Sequence, residues 1–311
     1  MKNVFPELPR GPFKQAVLCA KGFCMGVADV IPGVSGGTMA LILGIYTRLI
    51  DAIRSFDMKA VKLLAAFRFK DFFEYVEWRL PAAVGTGIFL AVLSVSHSVA
   101  WLLVHKPVPI WSFFFGLILA SVVNVGRGVE RWSIPALACL AAAAIGTFLL
   151  VGMVPVDTPE SLFFLFLCGV LAVCAMILPG ISGAFILVLL GKYHFVLEAV
   201  NQRDFGILAV LAAGACVGLI IFSRFLGWLL DRCYSIVLAG LTGLMLGSLR
   251  KVWPWKEDAS GSMESGSALL QINTLPAALD KETVAAMFVM FAGIAVVAGL
   301  SFLAGGRGKG R

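Results

Sequence analysis

Charge is what this 311-residue sequence has least of: Asp, Glu, Lys and Arg make up 14% of it, against about 25% in soluble domains. So little charge excludes a disordered chain, which stays solvated through polar and charged residues. Histidine is nearly absent. His97, His105 and His194 show no HxxxH or HExxH spacing, which excludes a zinc site of that design. The seven cysteines form no CxxC pair and nearly all lie inside apolar runs, so they read as small packing residues. Neither GxGxxG nor a P-loop occurs, and Ser35 and Ser182 have no histidine nearby in sequence to act as a base. The sequence asks for no cofactor, no metal and no enzyme chemistry.

Apolar residues are abundant instead, at 60%, with a mean hydropathy of +0.95. They fall in runs at 16–31, 34–53, 80–104, 108–125, 133–154, 161–178, 181–200, 206–230, 235–249 and 284–304. About 20 apolar residues cross a ~30 Å hydrocarbon core, so the pattern predicts an all-α, polytopic integral membrane protein with a single membrane domain. The net charge of +7 does not imply nucleic acid, because the basic residues punctuate apolar segments rather than forming one groove. They read as topology signals and contacts for lipid headgroups. Residues 54–79 mix basic residues with Phe, Leu and Trp, predicting an amphipathic helix at the membrane surface. Residues 256–283 are polar and contain Gly and Ser, predicting an aqueous linker before the last span.

The chain repeats itself. At a constant offset of 147, residues 31–53 match 178–200: Pro32 meets Pro179, Gly33 meets Gly180, Ser35 meets Ser182, Gly36 meets Gly183, Gly44 meets Gly191 and Tyr46 meets Tyr193. At an offset of 127, Gly87 meets Gly214, Ser96 meets Ser223, residues 101–103 meet 228–230, and GLILAS at 116 meets GLMLGS at 243. Repeat one covers about 15–125 and repeat two about 162–249, with a linking span at 133–154. Each Pro-Gly unit contributes an even number of crossings and three spans lie between the units, so the halves are expected to be inverted. Inverted repeats with a broken, re-entrant element in each half are a feature of secondary transporters. With both termini cytoplasmic, seventeen Lys and Arg lie inside and seven outside, as the positive-inside rule requires.

Pro32 and Pro179 break the helices, since proline lacks an N–H and clashes with the preceding turn. In lipid such a break needs protein or a polar cavity beside it. The new helix that follows presents free N–H groups and a positive dipole end, which suit an anion and above all a phosphate. The candidate contacts are Gly33, Val34, Ser35, Gly36, Gly37 and Thr38 in the first break, and Gly180, Ile181, Ser182, Gly183 and Ala184 in the second. Arg224, ten residues into a span, is a candidate guanidinium clamp. Its alternatives are snorkelling or pairing with Asp231. Asp29 lies three residues before Pro32 between apolar flanks, where a carboxylate marks function. It is the candidate coupling group, for a proton or cation, or else an acceptor for the freed N–H groups of the break, and its repeat partner is Met176. Tyr46 and Tyr193 are expected as interface anchors, and Asp51 and Glu198 as surface partners of Arg54 and Arg203.

The segments KGFCMGVADVIPGVSGGTMALILGIYTRLIDAI (21–53), FFFGLILAS (113–121), LPGISGAFILVLLGKY (178–193) and LRKVWPW (249–255) resemble the bacterial polyprenyl-phosphate transporter family, over about residues 14–304. The resemblance implies an undecaprenyl-phosphate flippase of the bacterial inner membrane. Such a protein returns the lipid carrier from the outer to the cytoplasmic leaflet for peptidoglycan and cell-envelope synthesis, its phosphate held near the two breaks. Ala184 departs from the first copy's Gly37. The partners implied are a polyprenyl-phosphate lipid and the bilayer, with a homo-oligomer left open. A channel or transporter for a small inorganic anion is the main alternative, since glycine-rich helix ends serve such ions equally well.

Overall fold

The computed structural model describes residues 11–31, 34–156, 158–159, 161–258, 271–276, 278 and 280–305. Within them the chain is helical apart from one short hairpin. Helix α1 (Pro12–Asp29) opens on a proline, whose missing N–H costs nothing in a first turn. It is followed by the short helices α2 (Gly36–Ile42) and α3 (Tyr46–Arg54), which meet at 115°. A second unit repeats the arrangement: α9 (Leu162–Ile177), then α10 (Gly183–Leu189) and α11 (Tyr193–Gln202), which meet at 108°. The turns between the short helices need a left-handed residue. Gly44 (φ 67°) and Gly191 (φ 63°) provide it, at matched positions and without the strain a Cβ would bring.

Long helices surround these units: α6 (Arg79–His105), α7 (Pro107–Gly126), α8 (Ile134–Leu150), α12 (Phe205–Ser248) and α13 (Lys281–Gly305). Glycines let their backbones touch, as in membrane helix packing generally. Gly22 and Gly26 of α1 lie against Val84 and Ile88 of α6, and Gly87 lies against Cys19. Gly169 of α9 lies against Leu211 of α12, with Gly214 on Phe166 and Gly218 on Val170. Both series rise together along the two chains, so α1 runs parallel to α6 and α9 parallel to the first part of α12. Gly240, Gly243 and Gly247 likewise place the end of α12 along α8.

The two apolar runs at 206–230 and 235–249 form one 44-residue helical stretch interrupted at a single residue. Cys233 has φ −136° and ψ 46°. Lys106, which separates α6 from α7, has φ −138° and ψ 55°. The two lie 127 residues apart, the offset of the sequence repeat, so the matched halves break at the same place with the same backbone conformation.

Residues 54–79 form two short helices rather than one: α4 (Met58–Ala65) and α5 (Phe69–Tyr75). Phe67, with φ 54°, separates them. Asp57 caps α4, accepting from the Lys59 and Ala60 N–H groups at 2.9 Å each. Met58, Val61, Phe69 and Phe73 are exposed, as an interfacial segment requires. The polar segment at 256–283 is not wholly irregular either, for β1 (Lys256–Asp258) pairs antiparallel with β2 (Gln271–Asn273). The described helices include four long and apolar enough to cross a membrane, and six if each bent pair makes one span. The protein is a multi-pass membrane protein.

Candidate substrate site at the helix breaks

Pro32 and Gly33 lie outside the described residues. After them Ser35 is the N-cap of α2, its Oγ accepting from the Gly37 N–H at 3.1 Å. The Asp29 carboxylate accepts from the Gly36 N–H at 2.7 Å. Two of the N–H groups expected to hold an anion are therefore already satisfied by the chain itself. Thr38 and Val34 are fully buried.

The second break packs directly on the first. The Gly180 N–H donates to Thr38 Oγ1 at 3.1 Å, Ser35 Oγ donates to the Leu178 carbonyl at 3.3 Å, and Tyr46 Oη donates to the Ile177 carbonyl at 3.2 Å. Side chains of the first unit thus take up backbone groups that Pro179 leaves without helical partners, as buried polar groups in an apolar interior require. Tyr46 is therefore an internal brace and not an interface anchor. Its hydroxyl needs a buried acceptor, and the broken turn before Pro179 offers one. Ile181 and Gly183 are buried, whereas Ser182 and Ala184 reach a cavity. Unlike Ser35, Ser182 makes no side-chain cap to its helix.

That cavity, of about 940 Å³, is lined by Asp29, Ser182 and Ala184 from the breaks and by Phe115, Phe148, Phe185, Val188, Leu246 and Trp253. Three cations complete it: Arg250, Lys251 and Lys256. The Arg250 guanidinium donates to the Phe148 carbonyl at 2.9 Å and lies 4.5 Å from that ring. Lys251 Nζ is 5.1 Å from the Phe185 ring. Lys256 Nζ is 4.1 Å from the Trp111 ring and donates to the Lys251 carbonyl at 2.7 Å. Aromatic faces attract cations but leave the charge uncancelled, and among the described residues none of the three pairs with a carboxylate. Burial, with the neighbouring Lys251 charge, pushes the Lys256 ammonium down to about 7, and burial lowers Lys251 as well. An anionic group entering here would meet three cations and a hydroxyl set among aromatic and aliphatic side chains, with the Asp29 carboxylate in the same lining.

Arg224 stands elsewhere. Its guanidinium donates to the Phe56 carbonyl at 3.4 Å, between α3 and α4. It does not line the cavity. Asp231 is taken by Arg54, at 3.0 Å, and Arg54 also holds Asp51 at 3.2 Å. Glu198 accepts from Gln202 at 2.8 Å. Arg250, Lys251 and Lys256 are among the seven cations that the sequence places outside, as topology signals and lipid-headgroup contacts rather than cavity residues. Their signal was the run LRKVWPWK at 249–256, in which cations alternate with aromatics directly after a span. Among the described residues no cluster of His, Cys, Asp and Glu is placed to hold a metal.

Two broken helical units braced on each other beside a cation-lined cavity are an arrangement that membrane transporters use, and the family and relatives that the chain matches are transporters, not enzymes. The chain belongs to the undecaprenyl phosphate translocase-like family, whose model matches residues 25–270. It is 41% identical over 289 residues to a polyprenyl-phosphate transporter of Vibrio cholerae, covering 90% of this chain and 94% of that protein. It is 31% identical over 252 residues to a polyprenyl-phosphate transporter of Staphylococcus aureus, covering 75% and 84%. No solved structure matches the chain.

Proposed function

We propose that the protein moves a polyprenyl-phosphate lipid, such as undecaprenyl phosphate, across the bacterial cytoplasmic membrane from the outer to the inner leaflet. The observation that carries this reading is the cavity in which Ser182 and Ala184 of the second break face Arg250, Lys251 and Lys256, with apolar surface beside them. A phosphate monoester bears one to two negative charges, and burying them unpaired would be prohibitive. The cations compensate the headgroup while Phe148, Phe185 and Leu246 accept the first isoprene units. A small inorganic anion has no use for that apolar wall.

The halves work as inverted repeats with re-entrant units. Because α1 and α6 run parallel, and α4 and α5 are too short to cross, the α2–α3 segment brings the chain back to the side it entered. The segment just before α6 and the far end of the first part of α12 meet adjacent residues at the end of α3: Ser55 Oγ accepts from the Glu77 N–H at 3.1 Å, and Arg54 pairs with Asp231 at 3.0 Å. The matched helices therefore run in opposite directions, which supports inversion. The distribution of Lys and Arg puts 250–256 outside and 48–79 inside. On that topology the cavity opens outward and the Arg54–Asp231 contact closes the cytoplasmic side. Headgroup capture outside, rocking of one half on the other about the braced breaks, and release inside complete a cycle of alternating access. Asp29, which accepts from the Gly36 N–H and lines the cavity, is the candidate for coupling the cycle to a proton or cation.

The test is a leaflet-resolved assay of undecaprenyl phosphate in liposomes containing the purified protein. Protein-dependent transfer between leaflets is expected. Chloride or inorganic phosphate flux that polyprenyl phosphate leaves unaffected would replace this reading with the inorganic-anion one.

A further inference from the structure

The two halves pack alike and differ at one place. Gly22 meets Val84 and Gly169 meets Leu211, while Gly87 meets Cys19 and Gly214 meets Phe166. These are the same contacts at offsets of 147 and 127, so α1 with α6 matches α9 with the first part of α12. Towards the starts of α1 and α6 a groove of about 750 Å³ runs between the helices, lined by Ala16, Cys19, Ala82 and Ala83. Trp78 and Arg79 stand at its end and Thr86 two turns further in. At the matched positions the second half carries Phe163, Phe166, Ala209 and Val210, with Gly206 in place of Arg79. The second half thus has bulkier side chains there and no cation.

The Arg79 guanidinium lies 5.8 Å from the Trp78 ring and, among the described residues, pairs with no carboxylate. The groove and the cavity share no lining residue. On α6 the exposed stripe of Ala82 and Thr86 continues as Phe89 and Leu93, which lie beyond the groove. Apolar side chains exposed along a spanning helix face acyl chains. From Arg79 to Thr86 is about 10 Å along the axis, the direction in which the lipids beside a span stand.

We propose that the groove binds an anionic phospholipid of the cytoplasmic leaflet, its phosphate on Arg79 and one acyl chain along Ala16, Ala82 and Ala83. A guanidinium binds phosphate oxygens through two parallel hydrogen bonds, and its single charge matches that of a phosphodiester. Trp78 stands where tryptophan settles in a bilayer, at headgroup depth. A phosphate monoester, with up to two charges, is matched by the three cations of the cavity instead. The leaflet follows from the topology proposed above, and the site does not depend on what the cavity carries.

The test is quenching of tryptophan fluorescence by phosphatidylglycerol brominated on its acyl chains, mixed with phosphatidylcholine in vesicles containing the protein. Subtracting the quenching of a matched Trp78→Phe protein isolates the signal of Trp78. Phosphatidylglycerol is expected to be preferred there about fivefold over phosphatidylcholine brominated in the same way, the effect of one cation at a membrane surface. Arg79→Gln should bring the preference below about twofold. Ala16→Phe, which puts the second half's residue into the groove and leaves Arg79 in place, should do the same. Ala16 and Arg79 are both exposed, thermal unfolding checks each variant, and Ala83→Val serves if Ala16→Phe is unstable. A preference that survives the filling of the groove would mean annular lipid beside an exposed charge, and one that survives Arg79→Gln would remove the phosphate contact. Either result overturns the proposal, as does equal quenching by the two lipids in the unsubstituted protein. Displacement of phosphatidylglycerol by a small mole fraction of undecaprenyl phosphate would make the groove a product site and overturn the choice of ligand.

Discussion

A lysine stripped of water holds its proton poorly, and Lys256 shows how one residue makes the cavity sensitive to pH. Burial and Lys251 bring its ammonium to about 7. A bound phosphate favours the charged form and raises that value, so binding takes up a proton at any pH between the two. By linkage, headgroup affinity falls as pH rises through 7. The phosphate acts in the opposite sense, gaining its second charge near pH 6, and that gain is complete before the lysine arm ends. Titration with a short-chain prenyl phosphate between about pH 6 and 9 is expected to show affinity declining above neutrality. Lys256→Arg, which keeps its charge throughout, should flatten the decline. A flat profile in the unsubstituted protein would take Lys256 out of the site.

The broken elements depend on bonds made across the two halves. Thr38→Val keeps the shape of the side chain but leaves the Gly180 N–H buried without an acceptor, which costs about 1–3 kcal/mol. Tyr46→Phe removes a donor and leaves a carbonyl, which tolerates the loss better. Thermal unfolding in detergent should therefore rank Thr38→Val below Tyr46→Phe. The matched turns differ in the same experiment. Gly44→Ala meets nothing within 4 Å, so only the left-handed backbone costs, about 1–2 kcal/mol. Gly191→Ala adds a contact 2.8 Å from the Val156 carbonyl and should be the less stable of the two. These comparisons also mark what was legible in the sequence. Proline and glycine act locally, so both breaks, their spacing and the apolar spans could be read directly. The partner of Thr38 lies 142 residues away, and only the packed halves reveal it. Lys251 and Lys256 escaped because a cation near a span end has the same sequence signature whether it faces water, lipid headgroups or a cavity. The single break at Phe67 escaped because nothing in phenylalanine announces a left-handed residue.

At the scale of the whole molecule, the proposed alternating access requires that opening one side of the cavity closes the other, and the contact it assigns to the cytoplasmic side is ionic. Arg54 joins α3 to α12 through Asp231 while also holding Asp51 and packing on Gly227. Asp231 is 66% exposed on its side chain and Arg54 30%, so water screens the pair and its worth is about 1 kcal/mol or less. That is too little to fix one conformation and enough to bias two by up to about fivefold, as a transporter that must visit both requires. Arg54→Ala should therefore raise the time spent open to the cytoplasm by no more than that factor. The buried Ser223, about two turns before Asp231 in the first part of α12, replaced by cysteine in a background lacking the seven native cysteines, gives the readout. Its alkylation by an impermeant maleimide in inside-out vesicles is expected to quicken up to about fivefold with Arg54→Ala. The exchanged pair, Arg54→Asp with Asp231→Arg, should slow it again, because the attraction across the interface is restored while each charge has changed element. An alkylation rate indifferent to Arg54→Ala would show that apolar packing of α3 on α12, rather than charge, closes the inner side.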